Sequence, residues 1–151
     1  MKEFKDMNDI LDFAINAEQE AVDFYTELAN NSKNADMKSV FQQFAKEEIG
    51  HKAKLTNIKS EGLYVMPAEK VADLKISDYI VAVKPNPDMT YQEALVLAMK
   101  KEKAAFRLYS NLAAKAPTDA MKNLFLGLAQ EEAKHKLRFE VEYDDNVMSE
   151  N

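Results

Sequence analysis

The chain has 151 residues, a net charge of −6, 46% hydrophobic and 30% charged residues, three glycines, four prolines and no cysteine. The length suits one domain with a core of its own, and the acidic balance argues against a nucleic-acid partner. The missing cysteines exclude disulfides, thiolate nucleophiles and cysteine-held zinc or iron–sulfur groups.

Abundant Ala, Leu, Lys and Glu with so little Gly and Pro favour helices. A first helix is expected over about 8–30, capped by Asp6 or Asn8. Its seam reads Leu11, Ala14, Glu18, Ala21, Tyr25 and Leu28, alternating steps of three and four, the stripe of a helix packed lengthwise on another. Glu18 lies within the stripe; Glu20 and Asp23 fall outside it and are expected in solvent. Asn30-Asn31-Ser32-Lys33-Asn34 reads as a polar turn.

A second helix is expected over about 35–60, stopping near Gly62. Its seam, Phe41, Phe44, Glu48, His51, Leu55 and Ile58, takes in Glu48 and leaves Glu47 beside it. Residues 61–89 form a connector with Pro67, Pro85 and Pro87, in which Ser77 would cap a short helix from Asp78 to Val83. A connector this long suggests a crossover that leaves the flanking helices parallel. The third helix, about 91–115, opens on the capping-box pattern Thr90-Tyr91-Gln92-Glu93 and has the seam Leu95, Ala98, Glu102, Ala105, Tyr109 and Leu112. Pro117-Thr118-Asp119 starts the fourth, about 118–143, with the seam Phe125, Leu128, Glu132, His135 and Phe139. A polar, frayed tail is expected from Asp144 to Asn151.

The two halves repeat without a gap. Aligning 7–55 with 91–139 gives fifteen identities, most of them on seam positions, so one helical hairpin is used twice. Glu48-x-x-His51 recurs as Glu132-x-x-His135, 84 residues on, and each has a seam glutamate 30 residues upstream, Glu18 and Glu102. Lys33 lies midway between Glu18 and Glu48, and Pro117 midway between Glu102 and Glu132, about 15 residues or roughly 22 Å from each hairpin turn. All four carboxylates are thus expected at one level, with each histidine on the face of its glutamate.

One Glu-x-x-His alone is ordinary on a solvated helix face. Two copies holding the chain's two histidines, each with a matched seam glutamate, are not. Four ionised carboxylates in an apolar core are unfavourable unless neutralised. Two divalent cations balance them, and mixed carboxylate and imidazole ligation without sulfur suits iron or manganese. Metal ligands are therefore expected at Glu18, Glu48, His51, Glu102, Glu132 and His135. Tyr25 and Tyr109, seven residues after Glu18 and Glu102, either hydrogen-bond ligand carboxylates or simply fill the core. Glu20, Glu47 and Glu131 read as solvated or rim residues.

At these residues the sequence resembles the rubrerythrin branch of the ferritin-like di-iron proteins. The resemblance covers about 7–140 and rests on Glu18-x-x-Ala21-x-x-x-Tyr25, Glu48-x-x-His51, Glu102-x-x-Ala105-x-x-x-Tyr109 and Glu132-x-x-His135. It implies an all-α, ferritin-like four-helix bundle over 1–151, built from two hairpins and a crossover connector. It also implies two iron ions, with manganese or zinc as substitutes. Glu18 and Glu102 would be terminal ligands, Glu48 and Glu132 would bridge, and His51 and His135 would bind one iron each. The family's cysteine-rich rubredoxin-type domain has no counterpart in these residues, so an external electron donor such as a rubredoxin is expected. The family's additional glutamate one turn after the third-helix ligand is replaced by Ala105, which predicts a more symmetric site.

The resemblance implies an oxidative-stress role as a non-haem di-iron oxidoreductase that reduces hydrogen peroxide or dioxygen, and a cytoplasmic protein is the default expectation. The alternatives are a ferroxidase or iron-storage protein, or a helical module whose site is vestigial. The opening Met1-Lys2-Glu3-Phe4-Lys5-Asp6 lacks the apolar core of a signal peptide, and the runs Ala94–Met99 and Tyr79–Val83 are too short to span a bilayer, so no membrane partner is expected. Val96, Leu97 and Met99 lie off the third-helix seam and need cover. Either the connector supplies it, or both segments line an interface between copies. A homodimer is expected, with hairpin exchange as one form of it.

Overall fold

The computed structural model describes residues 3–62, 64, 66, 70, 71 and 73–150. Pro67 of the connector and Asn151 of the tail lie outside them. Among the described residues the chain is all-helical: α1 Met7–Asn31, α2 Ala35–Glu61, a 3₁₀ turn Ile76–Asp78, α3 Tyr91–Ala114 and α4 Asp119–Glu150.

Each helix begins where a side chain can accept from an otherwise unsatisfied N–H. Asp6 accepts from Asp9 N at 2.9 Å, and Asn34 from Met37 N at 3.1 Å. Thr90 and Glu93 complete a reciprocal capping box, Glu93 N donating to Thr90 Oγ1 at 3.1 Å and Thr90 N to Glu93 Oε1 at 3.0 Å. Thr118 Oγ1 accepts from Met121 N at 3.2 Å. α2 stops at Gly62, whose φ of 62° is the left-handed conformation that side chains resist.

The contacts divide the chain into two units, one of residues 4–72 and one of residues 73–151 together with 1–3. In the first, α1 packs along α2. Its core holds Ile10, Leu11, Ala14, Tyr25, Phe41, Leu55 and Ile58, with Phe4 edge-on to Phe13 at 5.6 Å and Tyr25 edge-on to Phe44 at 6.4 Å. In the second, α3 packs along α4, burying Leu95, Ala98, Leu108, Tyr109, Leu112, Phe125, Leu128 and Phe139. Tyr109 stacks on Phe125 at 6.2 Å, a geometry worth about 0.5–1.5 kcal/mol beyond area burial. Leu28, Phe44 and Ala105 sit at the seam edges and are only half-buried.

Two expectations fail. The short helix from Asp78 to Val83 does not form. The helical turn lies earlier, at Ile76–Asp78, with Ser77 inside it rather than capping it, and residues 80–86 have no regular structure. β-Branched Ile80, Val81 and Val83 disfavour helix, and Pro85 ends any run that reaches it. The tail is not frayed from Asp144 either: α4 continues to Glu150. Its last turns are held to α3, where Tyr91 OH donates to Glu142 Oε1 at 3.0 Å and Gln92 Nε2 to Asn146 Oδ1 at 3.2 Å. Within the second unit the connector does cover part of α3. Tyr79 is buried and its hydroxyl accepts from Asn111 Nδ2 at 2.7 Å; Leu97 is buried, and Val96 and Met99 are half-buried.

Candidate metal centre

Each hairpin buries two glutamates and a histidine in its apolar seam. α1 brings Glu18 and α2 brings Glu48 and His51; α3 brings Glu102 and α4 brings Glu132 and His135. All six are 1–2% exposed. The turn at residues 32–34 is what puts Glu18 level with Glu48, because the two run equal distances from it along antiparallel helices.

In the first hairpin His51 Nδ1 stands 3.7 Å from Glu18 Oε2 and 3.6 Å from Glu48 Oε1. In the second His135 Nδ1 stands 3.6 Å from Glu102 Oε1. Within each triad the three ligand atoms lie within 4.8 Å of one another. These separations exceed a hydrogen bond. They fit donors sharing one ion, since two atoms each about 2.1 Å from a metal stand roughly 3–4 Å apart.

The charge argument agrees. Each triad confines two carboxylates and one imidazole inside a hydrocarbon seam, a net of −2 when the glutamates are ionised and the ring is neutral. A divalent cation in each would cancel that charge and replace the water the carboxylates lost on burial. Oxygen and imidazole donors without sulfur are the set that iron, manganese and zinc accept.

Small residues frame both triads. Ala14 and Ala21 lie one turn either side of Glu18, Ala98 one turn before Glu102, and Ala45 and Ala129 one turn before Glu48 and Glu132; all are buried. They leave room for carboxylates between closely packed helices. Just outside the first triad, Lys52 Nζ donates to Gln19 Oε1 at 2.7 Å, tying α1 to α2 beside His51 and Glu18. Reading the seams alone missed this bond, because both residues lie off the apolar stripe.

Tyr25 and Tyr109 are buried on the faces that carry Glu18 and Glu102, two turns along. Glu20 is exposed, while Glu47 and Glu131 are half-buried at the seam edges. Among the described residues, no helix is long and apolar enough to cross a membrane.

A family model described as Rubrerythrin matches residues 9–79 and 93–151. In three dimensions the chain is similar to a crystal structure from Thermotoga maritima described as a ferritin-like diiron-carboxylate protein. The TM-score is 0.78 at 20% identity, covering 97% of this chain and 99% of that one. At that identity the likeness establishes the fold, a ferritin-like arrangement of helices. No curated protein shows significant similarity to the chain.

Proposed function

The chain belongs to the rubrerythrin family, and from that premise we propose that its two triads together hold two iron ions and reduce hydrogen peroxide to water at the expense of an external electron donor. The observation that carries this reading is the pair of buried Glu/Glu/His triads at matched positions of the two hairpins.

Glu18 and Glu102 would be terminal ligands, Glu48 and Glu132 would bridge, and His51 and His135 would bind one ion each. When bound, two irons would supply the two electrons that cleavage of one O–O bond requires. The chain's own residues set the conditions. The four carboxylates balance the cations, and the alanines and aromatic rings of the seams exclude bulk water. Tyr25 and Tyr109 would donate hydrogen bonds that orient ligand carboxylates. Iron fits this donor set, with manganese and zinc as substitutes. In this reading an external one-electron donor such as a rubredoxin would complete the cycle, and the cytoplasm is the proposed setting.

Stopped-flow mixing of iron(II)-loaded protein with peroxide tests the proposal. The expected result is oxidation far faster than that of free iron(II) under the same conditions, with one peroxide consumed per two irons. Oxidation at the free-ion rate would reject a peroxidase. Rapid oxidation by dioxygen, with uptake of many irons per chain, would instead identify a ferroxidase or storage protein.

A further inference from the structure

α3 carries on its outer side a feature that its counterpart α1 lacks. Lys100, Lys103 and Arg107 are spaced three and four residues apart, share one face and are all exposed. The equivalent positions on α1 are Asn16, Gln19 and Asp23. The change at Lys103 has a local reason. Where the first hairpin joins Gln19 to Lys52, the second has Lys103 and Lys136, two ammonium groups that repel. Lys136 pairs instead with Glu140 at 3.0 Å. Among the described residues none of Lys100, Lys103 and Arg107 is in an ion pair. Phe106, 39% exposed, lies beside the stripe. Val83 of the connector, 45% exposed, shares with Lys100 and the exposed Glu93 a cleft of about 320 Å³ over Val96 and Leu97.

A stripe of solvated cations is common on helices. This one is set on a chain whose net charge of −6 would be largely offset by two bound metal ions, so local charge rather than net charge decides where an acidic protein approaches. Exposed apolar side chains, Phe106 and Val83, accompany the cations, the mixture found on transient docking surfaces. It also lies on the helix that supplies Glu102, so the stripe and that buried side chain are separated by no more than one helix diameter, about 10–12 Å.

We propose that this face of α3 docks an acidic one-electron carrier protein that returns electrons to the metal centre. The proposal rests on the redox reading above. One electron passes per docking, and two reduced carriers are oxidised for each peroxide that takes up two electrons and two protons to give two waters.

The experiment compares wild type with the triple variant Lys100→Glu, Lys103→Glu, Arg107→Glu, and with an α1 control, Asn16→Glu, Thr26→Glu. All five positions are exposed, and circular dichroism checks that the folds match. Two rates are measured on iron-loaded protein. The first is oxidation by peroxide after chemical reduction, which tests the redox reading alone and should be equal in all three. The second is reduction of the oxidised protein by a reduced, acidic rubredoxin as probe. That rate should fall with added salt in wild type, drop about tenfold or more in the α3 variant at low ionic strength, and stay within about twofold in the control. Loss of the first rate in wild type overturns the redox reading. A normal first rate overturns docking on α3 if rubredoxin fails to reduce wild type, if its rate ignores salt, or if the control and the α3 variant slow equally.

Discussion

Glu47 and Glu48 are neighbours on α2 with different surroundings: Glu48 is 1% exposed and within 3.6 Å of His51 Nδ1, while Glu47 is half-buried at the seam edge. Glu48→Ala should therefore weaken metal binding at least 10–100-fold, comparable with or worse than losing a supporting residue, whereas Glu47→Ala should change it less than about twofold. Equilibrium dialysis with elemental analysis measures both, and the reverse order would place the ligand on the wrong residue. The burial of the six residues was readable because a charged residue inside an apolar stripe has no solvent-facing alternative without rotating the whole helix. The Gln19–Lys52 bond was not readable. Nothing in a hydrophobic pattern says which two polar residues, 33 positions apart, will meet across a hairpin.

At the scale of elements, the sharpest boundaries came from residues whose chemistry acts locally. Thr90 and Glu93 mark the start of α3 because each satisfies the other's backbone N–H. Thr90→Ala should cost about 1 kcal/mol, measured by urea unfolding of iron-free protein. The box also predicts a pH effect. Hydrogen bonds from Thr90, the backbone one first, hold the Glu93 carboxyl below its ordinary value of 4.5. A depressed folded-state pKa contributes stability above the unfolded value, lost as pH falls through the folded one. Glu93→Gln should thus remove a small stabilisation at neutral pH and flatten the acid limb below about 4.5; an unchanged limb would mean the box is not formed in solution. Where boundaries depended on distant partners, the sequence misled. The polar run after Tyr143 looks like a frayed end, yet Gln92 and Asn146 join it to α3. The apolar run Tyr79–Val83 resembles a helix, but only Tyr79 finds a burial site and Pro85 closes the segment.

For the whole molecule, the repeat made the helical hairpins legible and left the assembly open, because identical seams can close within one chain or between two. We propose a homodimer. Light scattering at low micromolar concentration should give about twice the chain mass of 17.2 kDa, and a clean monomer would refute it. If the copies exchange hairpins, mixing Glu18→Ala with Glu132→Ala chains after joint refolding should restore one intact site per mixed dimer. Either assembly would draw on the same six proposed ligands, so the central claim is tested most directly by anaerobic titration of the metal-free protein with iron(II), followed by optical and mass measurements of bound metal. The prediction is saturation at two irons per chain, lost when both His51 and His135 are replaced by Ala. A rise in melting temperature should accompany it, corresponding to about 2.7 kcal/mol per site when free metal stands near a hundred times Kd. Failure to saturate, saturation at a single iron, or two irons retained by the double-histidine variant would contradict a centre built from the two buried triads.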